Sequence, residues 1–330
     1  MGQTRDRRTQ GRSIDYLTLI LSEQDVQALL DMDEVVSTVE EAFRREGSGE
    51  AANSMRTRSA GRGSVLSVMH ANLPYLGRAG LKAYLSSRAG SKFVLILYDS
   101  NTSVPLAVMG ADFIGRYRTG AASGVATKYL YGKRSGKLAI MGSGKQAVTQ
   151  ALAVKSVMSV DEVRVWSPNG SHLLEFVRTL SKAGFNASAW ETPGMAAKGA
   201  DILSSITSSN DPFITEEVVR EAAHVNICGG NVPSHAEMTA AAVGNFDTVV
   251  VDDLPQAKVE YGDLIQAVSS GDFDWESAVE LGAVVAGRAK PKGRTLFKSG
   301  GAAIEDVAVA SMLYEKARGS GRTYPNVGLI

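Results

Sequence analysis

The hexapeptide Gly142-Ser143-Gly144-Lys145-Gln146-Ala147 has the residue types and spacing in this 330-residue chain that point most directly to chemistry. It follows the apolar run Leu138-Ala139-Ile140-Met141 and precedes a helical pattern. In that setting the first glycine makes a tight turn, the second lets the backbone approach a pyrophosphate, and Ala147 permits close helix packing. The helix start adds unpaired N–H groups and the positive end of a dipole, so a dinucleotide fits. A Walker phosphate loop is excluded: Gln146 follows Gly144-Lys145 and Leu138 follows Gly136-Lys137, where Ser or Thr is required.

Selectivity between dinucleotides is set about 20 residues further on, where an NAD site places Asp or Glu on the ribose hydroxyls. This chain reads Val165-Trp166-Ser167-Pro168-Asn169-Gly170-Ser171-His172 there, with no carboxylate. Ser167, Asn169, Ser171 and His172 can donate hydrogen bonds to a 2′-phosphate. The expected cofactor is NADP or NAD, with NADP favoured.

The surrounding elements follow from hydrophobic periodicity. Ser22 and Asp25 mark a helix start, and Val35, Val36, Val39 and Phe43 line a second helix restarted at Asp33 and broken by Gly47 to Gly49. From Ser54 to Gly110 the period is two, giving short strands at 64–69, 80–85, 93–98 and 104–109 and a small, mostly antiparallel sheet. Residues 111–131 are rich in Ala and Gly and read as a helix leading to the next domain. Beyond Gly136 strand and helix alternate, with strands at 137–141, 162–166, 201–205, 224–228 and 248–251, which predicts a parallel sheet with crossover helices. Residues 296–318 read as a loop followed by one long helix.

Composition bounds the partners. With 35 basic and 35 acidic side chains the formal net charge is zero, so no general field draws in a nucleic acid or an anionic membrane. The hydrophobic share is 44%, no apolar run approaches a membrane span, and a small-molecule partner is expected. Cys228 is the one cysteine; it excludes a disulfide framework and a multi-cysteine metal site, agrees with a reducing cytoplasmic compartment, and reads as a core residue. No metal is expected. Residues 1–14 hold four arginines without an apolar stretch and read as a disordered tail.

Several segments, in order, resemble the ornithine cyclodeaminase/mu-crystallin family, which includes archaeal alanine dehydrogenases and cyclic imine reductases. They are Leu30-Asp31-Met32, Gly80-Leu81-Lys82, Arg118-Thr119-Gly120-Ala121-Ala122-Ser123, the glycine fingerprint, and Leu296-Phe297-Lys298-Ser299-Gly300-Gly301 leading to Glu305-Asp306. The resemblance implies an α/β fold: a Rossmann domain with a parallel sheet over 121–299, plus a smaller α+β substrate and dimerisation domain from 15–120 and 300–330. It further implies a homodimer paired through the N-terminal sheets. The cofactor contacts expected are Gly142, Ser143, Gly144, Lys145 and Gln146, then Ser167 and Asn169, with Thr119, Lys298 and Gly300 from the matching segments.

The residues matching the family's substrate pocket are Arg56, Lys82 and Arg118. Arginine holds a carboxylate with a planar fork that lysine cannot copy, which suits Arg56 and Arg118 to substrate binding. Alternation alone puts Leu81, Ala83 and Leu85 on one face and Lys82 on the other, where it would be exposed. The resemblance reverses this and makes Lys82 the general acid/base, its pKa lowered by burial near two arginines. The chain departs from the family pattern at Ser67, at His70, which reads as a strand-end residue, and at Asn231. Cyclodeaminases and several dehydrogenases of the family carry aspartate where Asn231 stands, and Asn231 is assigned with Lys82 to the catalytic pair.

Three activities stay open at this stage. The first is an oxidoreductase moving hydride between NAD(P)H and the α-carbon of a small amino or imino acid. The second is an ornithine cyclodeaminase, a lyase forming proline. The third is a mu-crystallin-like protein that binds NADP and a small ligand.

Overall fold

The computed structural model describes residues 17–329, so the tail over 1–14 lies outside the described residues. Two eight-stranded sheets organise the chain. The first contains β1 (Leu17–Leu21), β2 (Ala52–Asn53), β3 (Thr57–Gly61), β4 (Ser64–Leu73), β5 (Arg78–Ser87), β6 (Gly90–Asp99) and β7 (Pro105–Gly110), with the C-terminal strand Asn326–Gly328. Its pairings are antiparallel apart from β1 with β7. Helices α1 (Glu23–Leu29) and α2 (Met32–Gly47) lie between β1 and β2 in sequence. Ser22 and Asp25 form the capping box expected for α1, whereas α2 is capped by Asp31, not Asp33. Such a cap contributes about 1 kcal/mol.

Helix α3 (Asp112–Leu130) runs from this sheet to the second. It lies against α4 (Ala147–Val157) through glycines: a Cβ on Gly120 would sit 2.4 Å from the Thr149 carbonyl, and one on Gly124 would sit 2.7 Å from that of Ala153. That approach brings the first turns of α3 to the glycine fingerprint.

The second sheet is wholly parallel: β8 (Ser135–Met141), β9 (Ser159–Trp166), β10 (Ala187–Ala189), β11 (Ile202–Ser205), β12 (His224–Ile227), β13 (Thr248–Val251), β14 (Val279–Glu280) and β15 (Thr295–Lys298). Its order is β10-β9-β8-β11-β12-β15-β13-β14, which reverses direction between β8 and β11. In an open parallel sheet that reversal is where the crevice for a ligand forms, at the carboxyl ends of the strands.

Residues 295–298 correct the sequence reading, which had a loop there. They form β15 between β12 and β13, buried on both faces. A four-residue central strand has no alternation to betray it, because both of its faces are covered. The long C-terminal helix is as expected and spans Ala303–Gly319. It packs on the inner face of the first sheet, where a Cβ on Gly80 would lie 3.2 Å from Val307. No helix among the described residues is long and apolar enough to cross a membrane.

Candidate active site

The chain leaves β8 through Gly142, whose φ of 111° favours glycine and whose Cβ would stand 2.8 Å from the Ile206 carbonyl. Gly144 faces open space, with nothing within 4 Å of the Cβ it lacks. The sequence keeps side chains out of the turn and off the surface that faces the crevice. Three openings then follow one another. The first, about 300 Å³, lies between Gly142, Ser143, Gly144, Ser167, His172 and the 206–209 loop. The second, about 410 Å³, continues past Gly144, Lys145 and Gln146 to Gly229, Gly230 and Asn231. The third, about 260 Å³, is reached past Gln146 and Asn231 and is lined by Arg56, Lys82, Tyr84, Phe93 and Arg118.

A dinucleotide fits the first two. Ser143 and Ser167 are joined by a 2.9 Å hydrogen bond across the first opening, and no carboxylate lines it. Other expected cofactor residues stand back from the groove. Asn169 caps α5 (Gly170–Lys182), accepting hydrogen bonds from His172 N and Ser171 Oγ. Thr119 is buried on α3 and donates to the Gly115 carbonyl. Lys298 is fully buried, 2.8 Å from Asp263 and 3.1 Å from the Gly230 carbonyl, so it braces the loop beneath the second opening. Gly300 accepts a 2.7 Å hydrogen bond from Arg56 through its carbonyl.

The third opening brings together residues far apart in sequence. Arg56 precedes β3, Lys82 is on β5, Arg118 is on α3, and Asn231 follows β12. Lys82 is 2% exposed, which overturns its isolated reading as an exposed strand lysine. The apolar side of β5 is the one left open: Leu85 is 48% exposed, and Leu66 opposite it 42%. Alternation identified the two faces correctly but could not say which one the C-terminal helix would cover.

Each cation of the site has a buried acid behind it. Lys82 Nζ donates to Asp306 Oδ2 at 2.6 Å, while Arg118 reaches Asp306 Oδ1 and Glu305 Oε2, each at 3.2 Å. Arg56 pairs with Glu260 at 2.6 Å, and its Nε is buried without a protein partner. Arg118 lies on Gly301, whose φ is 87° and whose Cβ would stand 2.0 Å from Nη1. Asp252 holds that turn by accepting from Gly300 N and Gly301 N at 3.1 and 2.7 Å. Burial, opposed by Asp306 and reinforced by Arg118, brings the Lys82 ammonium down to about 8. Burial also pushes the Glu305 carboxyl up to about 7 against the pull of Arg118.

Sequence reasoning missed Glu260, Asp252 and Arg58, and quoted Glu305 and Asp306 without giving them a role. Glu260 is 204 positions from Arg56, and no local pattern links them. Arg58 lies on β3 two residues after Arg56, which stands just before that strand. It pairs with Glu260 and donates to the Asn231 carbonyl at 2.9 Å. His70 is exposed, and Cys228 is buried 3.1 Å from Ser123 Oγ with its thiol pushed up to about 12 by burial. Among the described residues no group of three or more His, Cys, Asp or Glu is placed to hold a metal ion.

A Rossmann sheet, a groove at its switch point and a cationic chamber at the end of that groove define an oxidoreductase that uses a nicotinamide cofactor. The family model of the ornithine cyclodeaminase/mu-crystallin family matches residues 17–321, and the chain belongs to that family. It is 36% identical over 313 residues to an alanine dehydrogenase of Archaeoglobus fulgidus, covering 91% of this chain and 95% of that one. A structure of Thermococcus litoralis Δ1-pyrroline-2-carboxylate reductase with NADH and L-proline superposes with a TM-score of 0.87 at 33% identity, over 94% of this chain and 100% of that one. An archaeal alanine dehydrogenase dimer with bound NAD has the same TM-score at 32% identity, over 95% of this chain and 100% of that one.

Proposed function

We propose that this protein interconverts a small α-amino acid and its imino acid with NAD(H) or NADP(H). The observation that carries this reading is the chamber at the end of the groove, where two arginines flank a buried lysine. Arg118 and Arg56 hold the substrate carboxylate. Lys82 sits at the substrate nitrogen: as an ammonium it donates a proton when the imine is reduced, and as an amine it accepts one in the reverse direction. A nicotinamide held by Gly142 to Gln146 would supply or accept the hydride at the α-carbon. Asn231 orients the substrate or a water by hydrogen bonds. The alanine dehydrogenase and pyrroline-2-carboxylate reductase relatives support the same class of reaction.

Asn231 in place of an aspartate argues against cyclodeamination more than it argues for any one reductase. A carboxylate there could pair with the second amino group of ornithine and accept its proton, whereas an amide offers only a neutral acceptor and cannot take the proton. Supplied with reduced cofactor, pyruvate plus ammonia or a cyclic imino acid is expected to oxidise it, followed by absorbance. Ornithine with catalytic NAD(P) is expected to release no ammonia. Stoichiometric proline and ammonia from ornithine would overturn the assignment, and cofactor binding without turnover of any substrate would favour a binding protein.

The lining of the first opening favours NADP over NAD, because Ser167 and His172 stand where an NAD-selective carboxylate would repel a 2′-phosphate. NADPH is expected to titrate more tightly than NADH, and Ser167→Asp to reverse the order. Tighter NADH binding by the unchanged protein would sink this preference.

A homodimer paired through the open face of the first sheet completes the proposal. Leu66, Leu85 and Val94 are 42%, 48% and 39% exposed on that face, an apolar surface of the kind that marks an interface. Leu85→Lys is expected to shift sedimentation from a two-chain to a one-chain mass. An unchanged protein that sediments as one chain would remove this pairing.

A further inference from the structure

Asp306 does not line the chamber, yet both of its oxygens are committed to residues that do. Oδ2 accepts from Lys82 Nζ at 2.6 Å and Oδ1 from Arg118 Nε at 3.2 Å, with the carboxylate 1% exposed. We propose that Asp306 is a positioning residue for the reaction, one carboxylate that sets the spacing between the proton-transferring lysine and the carboxylate-binding arginine. This rests on the roles given above to Lys82 and Arg118.

The argument begins with the substrate. In an α-amino or α-imino acid the nitrogen and the carboxylate are attached to the same carbon, so their separation is fixed by covalent geometry. A site that binds one and protonates the other needs an equally fixed separation between its two groups. Lysine and arginine are both long and flexible, and they come here from β5 and α3, elements that could drift relative to each other. A rigid carboxylate on a third element, the helix Ala303–Gly319, fastens both. Glu305, one residue earlier on that helix, takes Arg118 Nη1 at 3.2 Å and leaves Nη2 outside both contacts. Lys82 gives Asp306 one of its three N–H groups, which leaves two for substrate.

Asp306 also sets the charge at Lys82. The charged groups facing Lys82 are Asp306 from the C-terminal helix, Arg118 from α3 and Arg56 from the segment before β3. Burial and both arginines favour the neutral amine, and Asp306 alone favours the ammonium.

The test is Asp306→Asn, which keeps the size and one acceptor but removes the charge. Lys82 acetylation by acetic anhydride, read by mass spectrometry across a pH series without substrate, is expected to show its midpoint about one unit or more lower than in the unchanged protein. The limb of kcat/KM assigned to Lys82 should move down by the same amount, with kcat reduced at least tenfold and NADH affinity kept. A purely structural role would lower activity without moving either midpoint. Unmoved or raised midpoints, or parent-like kinetics, would overturn the proposal. Asp306→Ser, which leaves room for water, is the second variant if the amide does not retain NADH binding, and the same shift is expected. Because the labelling needs no turnover, its failure is distinguishable from failure of the proposed reaction, which would appear as an inactive unchanged protein.

Discussion

Arg118→Ala is expected to abolish turnover while leaving NADH or NADPH affinity nearly intact. Arg118 stands over Gly301 in the chamber, beyond the phosphate cradle at Gly142 to Gly144, so its loss removes the grip on the substrate carboxylate and leaves the cradle in place. Removing one partner of a buried, hydrogen-bonded charge pair costs about 2 to 5 kcal/mol, roughly thirtyfold to several-thousandfold in kcat/KM. Part of that cost falls on the protein, because Glu305 loses its cation and Asp306 is left with Lys82. Arg118→Lys separates the two effects: it keeps the charge and loses the fork, so folding should recover more than activity. Steady-state kinetics with cofactor titration provides the check, and unchanged kinetics for Arg118→Ala would remove the residue from the site.

Lys82→Met should lower kcat by about 10²- to 10⁴-fold, the usual contribution of a positioned acid or base. Methionine keeps the length of the stem and fills the space against the sheet, so cofactor binding should survive. The unchanged protein should show the matching pH dependence. With the ammonium brought down to about 8, imine reduction falls as pH rises through that value, because the acid form is lost. Amine oxidation rises over the same range, because the base form appears. Flat rates in both directions between about pH 7 and pH 9 would exclude Lys82 from proton transfer.

The parts of the protein legible in the sequence share a local cause. The fingerprint after β8 was recognised because glycine at Gly142 and Gly144 is demanded by backbone conformation and by the space a ligand needs, both properties of a six-residue window. The capping box at Ser22 and the face of α2 followed from spacings of three and four. Arg56, Lys82, Arg118 and Asn231 were assigned through their resemblance to a family, and the structure gathers all four around one chamber. Their chemistry was not derivable from neighbours along the chain. Lys82 by itself reads as solvated, and no neighbour along the chain announces the buried pairing of Lys298 with Asp263 beneath the groove.

The sequence by itself determined the class of cofactor and the parallel sheet that carries it. Each of these depends on side-chain identity and short-range periodicity. Tertiary structure alone decided which face of β5 is covered, that residues 295–298 are a central strand, and which acids stand behind the cations. The physical reason is distance along the chain. Asp306 is 224 positions from Lys82 and 188 from Arg118, and Glu260 is 204 from Arg56. Charges so separated influence one another only after folding removes the water between them, and in that buried setting their interactions tune the site.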